Sequence, residues 1–490
     1  MMVSERIVGT VSRRSPREAA ETVAPDATLG VSGFGSVGYP KEIPLALAES
    51  GRDLSLTVVS GGSVGDEIDT ALVEADAIER RHPFQARSAI REAINDGTVA
   101  FHDRHIASLG DEVAHGGLAD VDVAVIEAVA VGEDWLIPST SIGHTPAYVE
   151  AADRLFVELN HAQPLGLQRL HDVYRRRAPP DREPIPLSRP DERIGSPQVE
   201  FDTEKLAGVV LTDRPDTPYS FRTPGETERA ISANLAAFLA AELDRNSILA
   251  ESVQFQFGVG SIGNAMIDTL DAVDFGDRTV HYLGEVFQDG LLDLLDEGQI
   301  ASASATSLAL SEEGQDRLFA DLERYASDVI VRPASISNSP EIIDRFGVIG
   351  INSALSVDVY GHANSTHVDG TQVVNGIGGS GDFTRNCPLS IIALPSTTSG
   401  GTSRVVPMVT HVDHTEHDVD IVVTEHGVAA LRGLSPRERA DRMVAECADP
   451  DVRPDLRAYR DRAAETAGNI PHHLPSAFDW RSDDSGGDND

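Results

Sequence analysis

The feature that most constrains this chain is a repeated alternation in which an apolar run of strand length meets glycines and is followed by a helix-forming run. ATLGVSG (27–33) has the density of apolar residues expected of a buried strand, and KEIPLALAES (41–50) has helical spacing. LSLTVVSGG (54–62) and DVDVAVIEAVAV (120–131) read as further strands. The pattern resumes later: ERAISANLAAFLAAEL (228–243) reads as a helix, SVQFQFGVG (252–260) as a strand entering a turn, and RTVHYLGE (278–285) as a strand ending on Glu285. Strands separated by helices pair in parallel, because the crossover helix returns the chain to the edge from which it started. The expected fold class is α/β, with two similar α/β domains and mainly parallel sheets.

A chain of 490 residues exceeds one ordinary core. The stretch APPDREPIPLSRPDERIGSPQVE (178–200) is rich in proline and charge and reads as a linker or long surface connection. The expected domains are residues 1–215 and 216–475. The end, through DWRSDDSGGDND, lacks apolar periodicity, so 476–490 reads as a flexible acidic tail.

Charge narrows the partners. There are 79 acidic residues against 40 basic ones, for a net charge of −39, and the only lysines are Lys41 and Lys205. Acidity with almost no lysine reads as adaptation to high salt, where screening makes self-repulsion tolerable. Such a surface repels nucleic acid and anionic membrane, so neither is an expected partner. An anionic ligand has to be held by backbone amides and a few arginines. Two cysteines, Cys387 and Cys447, do not make a disulfide framework, and the start MMVSERIVGTVSRRS has no apolar signal core. A cytoplasmic protein is expected.

Three glycine clusters carry the chemistry. GFGSVG (33–38) and GVGSIG (258–263) both satisfy G-x-G-x-x-G between a strand and a helix, the context of a dinucleotide fingerprint. Glu285 lies 22 residues beyond Gly263, where a ribose-binding carboxylate would fall, so a dinucleotide-dependent oxidoreductase stays open at this point. The blander reading is that the glycines only permit tight turns; Pro40 and Lys41 open the first helix. VVNGIGGSGDFTRN (373–386) is denser, with four glycines in residues 376–381, and frees backbone N–H groups to converge on an anion or oxyanion. HVDHTEHDVD (411–420) offers His411, His414 and His417 with Asp413 and Glu416, but its β-like flanks would make the histidines diverge. A polar turn between two strands, without metal, is expected there.

Taken together, GYPKEIPLALAE (38–49), GVGSIGNAM (258–266), GEVFQDGLLDLLDEGQIASASATSLALS (284–311), NGIGGSGDFTRN (375–386) and VPMVTHVDHTEHDVDIVVTEHGVAALRGLSPRERA (406–440) resemble the acetyl-CoA hydrolase/transferase family. This is a class I CoA-transferase group that includes succinyl-CoA:acetate CoA-transferases. The resemblance implies an active site in a cleft between the two domains, a homodimer, no metal and no tightly bound cofactor, with a coenzyme A thioester as substrate. It places the nucleophile on Glu285, and the CoA-contacting turn on Gly258, Val259, Gly260, Ser261 and Ile262, with the Val259 amide as one oxyanion donor. Asn375 and Gly379 match the glycine loop, the Gly379 amide being the second donor, and Asn338 matches an asparagine lining the site. Where relatives place a basic group for the CoA phosphates, STTSGGTSR (396–404) has no lysine, so that either Arg404 substitutes or CoA is held differently.

The activity implied is transfer of CoA between acetyl-, propionyl- or succinyl-CoA and a short carboxylate through a glutamyl-CoA thioester. Hydrolysis of the acyl-CoA on the same scaffold is the alternative if water enters, and the dinucleotide oxidoreductase is the remote one.

Overall fold

The computed structural model describes residues 2–258 and 260–480. The chain folds into two compact units, neither of them continuous in sequence. The first comprises Met1–Ser220, His281–Phe346 and Val373–Asp382, and the second Phe221–Val280, Gly347–Gln372 and Phe383–Asp490.

The first unit is built on a mostly parallel sheet. Ala100–Phe101, Ile78–His82, Leu56–Ser60, Thr28–Val31 and Val123–Val131 lie side by side, and Arg154–Asn160 and Leu206–Thr212 extend the sheet beyond Val123–Val131. Trp135–Pro138 and Val199–Glu200 join it antiparallel. Every residue of VAVIEAVAV (Val123–Val131) is buried, as expected of a strand covered on both faces. Each such Val or Ile contributes about 1.5–3 kcal/mol by leaving water. A second set of parallel strands in this unit, His281–Leu283 of the strand Thr279–Leu283 with Ser302–Ala305 and Val329–Val331, leads into the segment carrying Glu285.

The second unit has its own parallel strands, Ser252–Phe257, Ile349–Asn352, Leu389–Ala393 and Ile421–Thr424, closed by the antiparallel strand Gly427–Ala430. The helices Pro436–Glu446 and Arg453–Ala464 cover part of it through Met443, Val444, Leu456 and Tyr459, all buried.

The expected α/β class and mainly parallel sheets are therefore present, and the predicted strands and helices fall where the alternation put them, within a few residues. The stretch 178–200 has no regular structure before Val199, yet it is not a loose linker. Ile185 and Leu187 are buried with Ile336 and Ile342, and Arg345 Nη1 donates to both Ile185 O (2.9 Å) and Leu187 O (2.8 Å). Proline and charge announce the missing helix and strand; the two aliphatic anchors between them explain the fixed path. The segment read as a tail begins inside a short helix, Leu474–Asp479, and 481–490 lie outside the described residues. Among the described residues no helix is long and apolar enough to cross a membrane.

Candidate active site

Glu285 does not end a strand, as its apolar approach suggests. The strand stops at Leu283, Gly284 and Glu285 form a bend, and Val286–Phe287 pairs in parallel with Ser307–Leu308. Tyr282 makes the bend: its hydroxyl donates to Val286 O (3.0 Å), and the ring lies where a Cβ on residue 284 would stand, so only glycine fits. The Glu285 carbonyl is fixed from the other side by the N–H groups of Thr306 (2.8 Å) and Ser307 (3.2 Å). The backbone of Glu285 is thus held without using its side chain.

That side chain is half-buried, open enough to be reached and enclosed enough that burial pushes its carboxyl up to about 7. The opposing influence is a hydrogen bond from Asn338 Nδ2 to Glu285 Oε1 at 2.8 Å, which favours the ionised form. Asn338 follows the short helix Ala334–Ser337 and is fully buried.

Gly379 closes the other side. A Cβ there would collide with both Glu285 Oε1 and Asn338 Nδ2, so the glycine backbone lies directly against the carboxylate. The preceding loop is fastened along its length. Val373 exchanges two hydrogen bonds with Asn95 (2.8 and 2.9 Å), Gln85 Nε2 donates to Val374 O (2.9 Å), and Ile377 N donates to Asp103 Oδ2 (2.8 Å). Asp382, 5% exposed, accepts from Asn338 Nδ2 (3.2 Å) and from Ala107 N (2.9 Å). Among the described residues, Asn375 Oδ1 on the same loop is buried without a hydrogen-bond partner, an acceptor available to a ligand.

The structure therefore brings Glu285, Asn338 and Gly379 together in one unit, with Asn375 on the same loop as Gly379. The turn that begins at Gly258 belongs to the second unit. Gly260 there has φ 110 and caps the helix Ser261–Ala272, and nothing among the described residues lies within 4 Å of an ideal Cβ on either Gly258 or Gly260. Val259 lies outside the described residues, as do the side chains of Ser261 and Ile262. Arg404 is half-buried near Glu425, which favours its charge, while burial lowers its pKa overall.

Sequence reasoning missed Asp382, Asp103, Asn95 and Gln85. Asp382 was written inside the glycine loop it serves, GGSGDF, where a buried acid among glycines is the available signal.

The first glycine cluster is not a phosphate cradle. At the start of the helix Glu42–Ala48, the N–H groups of Lys41 (2.7 Å), Glu42 (3.0 Å) and Ile43 (2.6 Å) all donate to the fully buried carboxylate of Glu158. The amides that would meet a pyrophosphate are already taken by an anion of the protein itself. His411, His414 and His417 lie in irregular structure between Val405–Val406 and Ile421–Thr424: His411 Nε2 meets Asp413 (3.2 Å), His414 is fully buried, and His417 faces Glu416 (3.2 Å). Among the described residues no group of three or more His, Cys, Asp or Glu is arranged to hold a metal ion.

Residues 11–180 match the description of the acetyl-CoA hydrolase/transferase N-terminal domain, and residues 314–460 that of the corresponding C-terminal domain. A succinyl-CoA:acetate CoA-transferase of Clostridium kluyveri is 41% identical over 471 residues, which are 95% of this chain and 87% of that one. The chain belongs to the acetyl-CoA hydrolase/transferase family. Its relatives carry both activities in their names. A propanoyl-CoA:succinate CoA transferase of Escherichia coli is 38% identical, covering 96% of each chain, and an acetyl-CoA hydrolase of Schizosaccharomyces pombe is 39% identical, covering 92% of this chain and 90% of that one. The fold is that of a solved 4-hydroxybutyrate CoA-transferase from Porphyromonas gingivalis, with a TM-score of 0.62 at 22% identity over 93% of this chain and 97% of that one. Membership in this family of enzymes removes the dinucleotide oxidoreductase, and the first fingerprint is filled by Glu158.

Proposed function

We propose that this enzyme moves CoA between an acyl-CoA (acetyl-, propionyl- or succinyl-CoA) and a short carboxylate through a glutamyl-CoA thioester on Glu285. The observation that carries the reading is the half-buried Glu285 carboxyl, raised to about 7, with Asn338 donating to Oε1 and the Gly379 backbone against it. The relatives named as succinyl-CoA:acetate and propanoyl-CoA:succinate transferases support the substrate class.

The Glu285 carboxylate attacks the thioester carbonyl, and the tetrahedral adduct expels CoA thiolate to leave a mixed acyl–glutamyl anhydride. The thiolate then attacks the glutamyl carbonyl, forming the glutamyl-CoA thioester and releasing the first carboxylate. An incoming carboxylate reverses both steps, so Glu285 and the charge balance are restored. The attacking groups are already anions, and no general base is required. Each adduct carries an oxyanion, for which the Gly379 and Val259 amides are the donors in this reading; one such donor is worth about 2.7–4 kcal/mol. Gly258, Gly260, Ser261, Ile262 and Asn375 contact CoA, and Arg404 stands in for the basic group at its phosphates. The same reading includes a homodimer, from the family resemblance, and a reducing, salt-rich cytoplasm, supported by two free cysteines and the acidic excess.

Hydrolysis is the second reading, favoured by relatives named acetyl-CoA hydrolase. The two separate on one assay. With acetyl-CoA, thiol should be released slowly without acceptor, and succinate should divert CoA to succinyl-CoA without net thiol. Thiol release indifferent to succinate would make the enzyme a hydrolase. Treatment with acyl-CoA followed by hydroxylamine should modify Glu285, and a label elsewhere, or full activity in Glu285→Ala, would refute the mechanism.

A further inference from the structure

We propose that Asp382 is a positioning residue for this reaction, one that fixes the orientation of the Asn338 amide and so obliges Asn338 to present N–H to Glu285. The inference rests on Glu285 being the nucleophile.

An asparagine amide has two ends of nearly the same shape and opposite hydrogen-bonding character. Something must decide which end faces Glu285. Glu285 does not: with a carboxyl raised to about 7, it is present near neutrality both as an acceptor and as an acid able to donate to an amide oxygen. Ser337 does not either. Its hydroxyl donates to Asn338 Oδ1 at 3.2 Å, but a hydroxyl accepts equally well. In this proposal Asp382 is the partner with no choice, since a carboxylate only accepts. It stands 3.2 Å from Asn338 Nδ2, which is the same nitrogen that lies 2.8 Å from Glu285 Oε1. Asp382 is itself held by the Ala107 N–H at 2.9 Å, with His105 Nδ1 at 3.9 Å. The arrangement is a carboxylate orienting an intermediary that orients the nucleophile.

With its NH2 end pinned toward both carboxylates, Asn338 offers a donor to ionised Glu285 and no acceptor to the protonated form. Asp382 therefore tilts Glu285 toward the state that attacks. Its own negative charge works in the opposite sense, since a nearby carboxylate resists ionisation of a second. Among the described residues, the titratable groups beside this pair include Tyr282, whose hydroxyl is engaged by Val286 O, and His105 behind Asp382. The two effects of Asp382 shift the titration of Glu285 in opposite directions, so they can be told apart.

The test is kcat/KM against pH, with Asp382→Asn made in the full chain alone and in an Asn338→Ala background. Wild-type enzyme is first treated with acyl-CoA and hydroxylamine. Absence of a label on Glu285 would refute the nucleophile, and this inference with it. Given the label, Asp382→Asn should lower kcat/KM about tenfold with KM within about twofold, and should move the acid limb upward by about one pH unit. In the Asn338→Ala background the second substitution should add less than about twofold, because the intermediary is gone. A limb that stays put or moves down, or losses that multiply across the pair, would overturn the proposal. Asp382→Glu keeps an obligate acceptor and should retain the wild-type midpoint at reduced rate; a shift equal to that of the asparagine variant would count against the role. Should Asp382→Asn not fold, Asp382→Ser provides the same readings.

Discussion

At the scale of single residues, the cost of enclosing a carboxyl is visible in Glu285. Its pKa is raised on folding from near 4.5 to about 7 by burial, which Asn338 only partly offsets. Between those values the native state binds a proton that the unfolded chain has released, so stability falls as pH rises through the window and is lowest above 7. The loss is on the order of 2–3 kcal/mol after discounting for the half-open side chain. Glu285→Gln has no charge to bury. It should match wild type in unfolding free energy by urea titration at pH 4 and exceed it at pH 8 by that amount, while abolishing transfer. A difference that is flat from pH 5 to 8 would show an unperturbed carboxyl. Wild-type kcat/KM should rise through about pH 7 for the same reason.

Legibility at this scale was uneven. Glu285 was one of 79 acids until the resemblance of GEVFQDG and the glycine loop singled it out. The residues that hold its surroundings could not be found that way. Asp103 meets Ile377 across 274 positions and Asn95 meets Val373 across 278, and no local periodicity encodes so distant a hydrogen bond.

At the scale of elements, the alternation predicted the strands and helices well because parallel strands are buried on both faces and carry an unbroken apolar signal. It failed at Glu285, where RTVHYLGE reads as one strand through to the glutamate. The strand stops two residues earlier because the Tyr282 hydroxyl reaches forward to Val286 O, and the following strand is only two residues long, too short to leave a period. The glycine loop is the complementary case. Its glycine density was legible, but which glycine touches the carboxylate was not. Gly379 does, and Gly379→Ala should push a methyl group into Glu285 Oε1 and Asn338 Nδ2. The expected result is a fall in kcat of roughly 10²–10³ with a folded protein, since displacing an oxyanion donor costs that much and overpacking at one site costs about 1–3 kcal/mol. Kinetics and a melting curve on the same sample decide it: near-wild-type kcat in a folded Gly379→Ala enzyme would remove Gly379 from the site.

At the scale of the whole molecule, the two lysines explain the charge better than the count does. Lys41 is fully buried, its Nζ 2.6 Å from Glu127 Oε2, 2.8 Å from Asp216 Oδ1 and 2.9 Å from Tyr39 O. Burial alone would lower its pKa, but Asp216 and Glu127 hold it above the ordinary lysine value. Lys205 Nζ donates to Val149 O (3.3 Å) and Glu150 O (2.6 Å), closing the end of the helix Thr145–Ala151. Lysine therefore survives where the fold uses an ammonium, and the excess of acid falls on the surface. A net charge of −39 repels itself over distances that salt controls, the screening length falling from about 10 Å at 0.1 M to about 3 Å at 1 M. Internal pairs such as Lys41 with Asp216 are shielded from that change, so added salt should relieve repulsion without dissolving them. The melting temperature should rise by roughly 5 °C or more between 0.1 and 1 M KCl and then level off, and NaCl should act alike at equal ionic strength. A melting temperature that is flat or falls over that range would mean the surface acids are already paired, and the high-salt reading of the composition would be wrong.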